Sequence, residues 1–309
     1  MAETRRPLER LIRAAALIVL AGLVACGGGG SAASATLPAA TPVPEPVPTP
    51  VPVPFGAGVP PGAGVPPGYA LVWSDEFEQP GLPNAARWSY DTERNPLGWW
   101  NNELQYYAAA RYQNSVVEGG RLRLTARRES LSSATDWGGQ RYTSARLITR
   151  GKAQWTYGFF ELRARMPCGR GTWSAIWTLG AGGRWPQDGE LDILEHVGSN
   201  PSRVFSTVHR QAGFGGNGSG GATQVVDACA AFHNYQMTWT ADEILFGVDG
   251  VVHHRYLNPR TGVAVWPFDA PQFLLLNIAI GGDLGGAVDD AIFPVSMELE
   301  YVRVYQARP

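Results

Sequence analysis

The chain has 309 residues, 44% hydrophobic and 17% charged, which is ample material for a core and too little charge for a disordered polyelectrolyte. A net charge of −2 argues against a surface that tracks nucleic-acid phosphates. Eleven each of Trp, Tyr and Phe beside 38 Gly favour a β-rich fold with tight turns and suit stacking on flat ligands, while three Cys are too few for a disulfide scaffold.

Residues 1–25 read as an address label. Arg5, Arg6, Arg10 and Arg13 precede an apolar run from Ala14 to Ala25, and about 12 residues fall short of the roughly 20 that a membrane-spanning helix needs. Leu23-Val24-Ala25-Cys26 resembles the bacterial lipoprotein cleavage box. That resemblance implies acyl chains on Cys26, attachment to a membrane without a spanning segment, and a place in the cell envelope or outside the cell. The alternative is an ordinary secretory signal cleaved nearby. With Cys26 used for lipid, Cys168 and Cys229 remain. In an oxidising compartment they are expected to pair, the alternative being two buried free thiols.

Residues 26–68 read as a linker, Gly/Ser/Ala-rich at first and then with Pro at alternate positions from Pro42 to Pro54. Alternating Pro disfavours both sheet ladders and helix interiors and favours extended polyproline II, a semi-rigid spacer. The folded domain is therefore expected over 69–309.

Beyond Tyr69 the dominant period is two. In Phe159–Met166, Phe160, Leu162, Ala164 and Met166 fall on one face, and Glu161, Arg163 and Arg165 on the other. Similar runs occur at 120–127, 236–240, 244–248, 273–280 and 297–306, separated by turn signals such as Asp249-Gly250 and Gly281-Gly282. With no long helical period, the pattern predicts one all-β sandwich or barrel.

The segment Gly189-Glu190-Leu191-Asp192-Ile193-Leu194-Glu195 carries the chemistry. In a strand, Glu190 and Asp192 share a face while Leu191 and Ile193 enter the core. Interleaving with Leu and Ile marks a strand with a dry face rather than a solubilising edge. Glu195 is out of phase, and a β-bulge near Ile193-Leu194 would return it to the face of the other two. Two carboxyl groups flanking one bond suit glycoside hydrolysis, with one as nucleophile and one as proton donor.

This run resembles the signature of glycoside hydrolase family 16 in the bulged form of its laminarinase-like members, which are retaining endo-β-1,3-glucanases with a concanavalin-like β-jelly-roll of two antiparallel sheets. The resemblance extends through Leu71–Phe77, Asn101–Tyr107, Gly171–Trp177, Phe232–Tyr235, Trp239 and Tyr301–Tyr305. It implies Glu190 as nucleophile, Glu195 as general acid/base and Asp192 as the assisting carboxylate. Trp173, Trp177 and Trp185 are expected to stack on sugar rings. His209 is expected to donate to a sugar hydroxyl or, alternatively, to serve as a core histidine bonded to backbone. Asn102 and Arg163 match cleft positions, Arg163 having a surface ion pair as its alternative. Ser174 stands where such members often have Pro.

A carbohydrate-binding protein on the same fold has no need of the acids. No Gly-x-Ser-x-Gly turn marks a serine hydrolase, and His233, His253 and His254 lack the spacing of a zinc motif. No cofactor is expected. Members of the family can carry a structural calcium ion, and nothing in the sequence marks its ligands. A neutral β-1,3-glucan is the favoured substrate. Mixed-linkage glucan, agarose, carrageenan and transglycosylation are the alternatives. The expected assembly is a monomer.

Overall fold

A computed structural model describes residues 65–308 and the backbone of Val53–Pro54. The signal segment, Cys26 and most of the linker lie outside the described residues. Two stacked sheets form, as the period of two predicts. The seven-stranded sheet is antiparallel throughout, in the spatial order Ser219–Gln224, Arg203–His209, Glu190–Val197, Thr172–Gly180, Gln272–Ile280, Arg146–Ile148 and Ser89–Tyr90. The eleven-stranded sheet is centred on Gly158–Arg165 and the long strand Val295–Ala307. One of its pairs, Gln105–Tyr107 with Tyr142–Ser144, is parallel, a departure from the antiparallel expectation. Val53–Pro54 pairs with Val251–Val252, so the Pro-rich segment does enter a ladder. It does so at the end of the sheet, where Pro is tolerated.

The core lies between the sheets. Phe160, Leu162, Ala164 and Met166 meet Leu191, Ile193, Leu194, Val204, Val208 and Ile278 there. The opposite face of Gly158–Arg165 is less polar than expected. Phe159 packs against Tyr305 and Val252. Glu161 is buried and accepts hydrogen bonds from Gln236 Nε2 (2.6 Å) and the Tyr301 hydroxyl (3.1 Å). Cys168 and Cys229 are joined in a disulfide, Cα atoms 5.7 Å apart.

Candidate active site

Gly189 turns the chain into the acid strand at φ 80°, and a Cβ there would lie 2.6 Å from the Phe268 ring. From Glu190 the side chains alternate until Ile193, where the register breaks. Against one neighbour, Trp177 opposes Asp192 while Ile176 opposes Leu194, leaving Ile193 extra. Against the other, Thr207 opposes Asp192 and Phe205 opposes Glu195. This is the expected bulge. It sends Leu191, Ile193 and Leu194 into the core and brings Glu190, Asp192 and Glu195 onto the outer face.

Register extends that face across the sheet. One row runs Glu195–Ala175–Asn277–Arg146, and the next runs Asp192–Trp177–Leu275–Ile148. The carboxyls are tied to their surroundings. Trp185 Nε1 donates to Glu190 Oε2 at 2.6 Å, and Trp173 Nε1 donates to Glu195 Oε1 at 3.0 Å. Glu190 and Asp192 share a hydrogen bond. Thr207 Oγ1 reaches Glu195 Oε2 at 3.5 Å, and His209 Nε2 lies 3.1 Å from Asp192 Oδ2.

Three acids in a poorly solvated group resist joint ionisation. Burial, reinforced by the charge of Asp192, pushes Glu190 up to about 8. Burial pushes Glu195 up to about 7 against the donor Trp173. Burial and then the charge of Glu195 hold Asp192 well above the usual carboxylate range. Near neutral pH the group therefore retains protons, the condition for a carboxylic acid that protonates a leaving group. Glu190, Asp192 and His209 also bring one potential metal-ligating atom each within 4.8 Å of one another. A cation there would compete with the protons these acids share.

Trp173 and Trp177 share the outer face, as their spacing predicts. Trp177 Nε1 donates to Asn277 Oδ1 (2.7 Å), whose amide donates to the Tyr107 hydroxyl (3.0 Å). The Arg146 guanidinium lies 4.7 Å from the Trp177 ring and 3.1 Å from Asp91. Trp185 is 51% exposed and meets the exposed Phe214 edge-on at 5.2 Å, so two rings stand beside Glu190. Asn102 is exposed, with φ 58°, and donates to Asp283 Oδ1 at 2.7 Å in a loop whose Gly285 packs beside Trp173. His209 holds Asp192 instead of bonding backbone in the core.

Arg163 requires a correction. It belongs to the eleven-stranded sheet, on the face away from the core, where its Nε pairs with Glu300 Oε2 at 2.8 Å. The core separates it from the acids, so its ion-pair alternative holds. Thr207, Asn277, Arg146 and Tyr107 were missed. The in-phase pattern Phe205, Thr207, His209 carries a signal for Thr207, whereas the others depend on cross-strand register. Surface recesses of about 330 and 290 Å³ line Leu71–Ser74, Arg87 and the adjoining loop, not the acids.

Residues 102–294 match the profile of glycosyl hydrolases family 16. The chain is 47% identical over 252 residues to a beta-glucanase of Rhodothermus marinus, covering 77% of this chain and 85% of that protein. The laminarinase structure from the same organism superposes with a TM-score of 0.73 at 47% identity, covering 78% of this chain and 98% of that one. The structure of SCLam, a non-specific endo-β-1,3(4)-glucanase, superposes with a TM-score of 0.79 at 47% identity, covering 84% and 96%. With its bulged acid strand, two-sheet architecture and these likenesses together, the chain belongs to glycosyl hydrolase family 16.

Proposed function

We propose that the protein is a retaining endo-hydrolase of β-1,3-glucans of the laminarin type. The observation that carries this is the bulge at Ile193, which puts Glu190, Asp192 and Glu195 on the outer face of one sheet beside exposed aromatic rings. In the first step Glu190 attacks the anomeric carbon as a carboxylate, its negative charge met by the Trp185 N–H. Glu195 gives its proton to the departing glycosidic oxygen, so the C–O bond breaks as the glycosyl ester forms. In the second step the ionised Glu195 takes a proton from water. The resulting hydroxide displaces Glu190 and leaves the new hemiacetal in the original β configuration.

The names of the β-glucan-active relatives support the substrate, and the non-specific endo-β-1,3(4)-glucanase among them favours mixed-linkage glucan as a second substrate. Incubating the domain with laminarin, lichenan, agarose and carrageenan and sizing the products tests both. Short oligosaccharides of mixed length from laminarin are expected. Cleavage of a galactan alone overturns the substrate while leaving the chemistry standing. We also read the protein as a monomeric lipoprotein held at a membrane through Cys26. Palmitate labelling that is lost in Cys26→Ser tests the anchor, and light scattering tests the assembly.

A further inference from the structure

The bulge that aligns the acids has a support beneath it, on the core side of the sheet. Ser206 lies fully buried on the neighbouring strand, in phase with Val204 and Val208 and opposite the break between Asp192 and Glu195. Its hydroxyl donates to the Ile193 carbonyl at 2.8 Å, the carbonyl of the extra residue. The same Oγ lies 2.9 Å from His253 Nε2. A serine hydroxyl has one proton to give, and a carbonyl can only accept. That proton is spent on Ile193, so the Nε2–H of His253 donates to Ser206. The relay runs from His253 through Ser206 to Ile193.

His253 reaches Ser206 from the other sheet, and its own strand is bent to allow it. Phe246 opposes His254 and Gly247 opposes Val252, so His253 is itself the extra residue of a second bulge. Gly221, directly across from Ser206, makes room. A Cβ there would lie 2.7 Å from the His253 carbonyl oxygen and 2.8 Å from the His254 Cβ. Nδ1 of His253 is buried and has no hydrogen-bond partner among the described residues, which is the arrangement of a neutral ring protonated on Nε2. Burial, followed by the neighbouring His254, lowers its pKa to about 4, so the ring stays neutral throughout the range in which the acids work.

We infer that His253 and Ser206 are positioning residues that lock the acid-strand bulge and so fix Glu195 relative to Glu190. The inference rests on the roles proposed for those two glutamates. Neither positioning residue touches the outer face where sugar binds, so their loss acts on turnover rather than on affinity.

The test compares Ser206→Ala, His253→Phe and His253→Gln with the unsubstituted chain, using laminarin hydrolysis over a pH range. A misplacement of about 1 Å at reacting groups costs on the order of 100-fold in rate. Ser206→Ala is therefore expected to lower kcat by about 10- to 100-fold, with KM held within about two-fold and the alkaline limb of the pH profile displaced. His253→Phe keeps an aromatic ring without the donor and should lower kcat in the same direction. The amide of His253→Gln retains a donor and should restore it. Unchanged kcat and pH profile in Ser206→Ala, whatever its melting temperature, overturns the inference. So does equal activity of the Phe and Gln variants, a comparison that stands even if the alanine variant fails to fold. Glu190→Gln separates the two claims. If it abolishes turnover while the relay variants remain fully active, the relay alone fails. If it remains active, the assignment of the nucleophile fails.

Discussion

Trp173→Phe probes the proposed acid/base, because it removes the indole N–H and keeps an aromatic ring on the outer face of the sheet. The indole N–H sits 3.0 Å from Glu195 Oε1 and favours the ionised carboxylate. A hydrogen bond to a charged group contributes roughly 1.5–3 kcal/mol, and about 1.4 kcal/mol corresponds to one pH unit. Losing the donor should raise the Glu195 pKa by roughly one to two units above its present value of about 7. In the proposed mechanism the first chemical step requires Glu195 protonated, so the alkaline limb of kcat/KM moves up in pH. Initial rates of reducing-end release from laminarin between about pH 5 and 10 read the limb directly. A melting curve at neutral pH confirms that the variant is folded. A limb that stays in place, or moves toward acid, refutes both the assigned role of Glu195 and the direction of the Trp173 effect.

The same electrostatics predict a conflict between stability and activity. Folding raises the Glu195 pKa above its usual value of 4.5, so its contribution is fully present below about pH 4.5 and is lost as pH rises through about 7. Glu195→Gln removes that loss, and at pH 8 the variant should be more stable by roughly 3 kcal/mol while nearly inactive. Denaturant melts at pH 5 and pH 8 measure it, and an equal or lower midpoint at pH 8 contradicts the account. Arg163→Ala should leave kcat and KM within about two-fold and cost at most about 1 kcal/mol, the scale of a partly exposed ion pair. A large rise in KM would return Arg163 to the substrate site. Replacing Cys168 and Cys229 with Ser opens a loop of 61 residues and should lower stability by about 4 kcal/mol in the chain-entropy model, with activity at room temperature retained. Reduction of the unsubstituted protein with dithiothreitol should reproduce the drop.

The acid strand was legible because its pattern contained a contradiction that only a bulge resolves: period two for Glu190 and Asp192, then a phase slip before Glu195. Core residues such as Phe160, Leu162 and Ile193 were legible for the same reason, since a dry face imposes its period on the sequence. Pairing across strands was not. Arg163 alternates with core residues as His209 does, and sequence period cannot tell which of two sheets carries a polar face. Asn277 and Arg146 occupy the same row as Glu195 through two further strands, a neighbourhood set by register alone. The relay from His253 is similarly hidden. It joins the two sheets through two bulges, and neither shows its partner in local composition.

In the proposed mechanism one bulge aligns two glutamates for double displacement on a single sugar linkage. Proton NMR of the anomeric region during the first minutes of laminarin hydrolysis distinguishes this course from inversion. The β-anomer of the new reducing end should appear first, with the α-anomer growing in only as mutarotation proceeds. Initial appearance of the α-anomer would mean inversion by a single displacement, and the nucleophile assigned to Glu190 would be wrong.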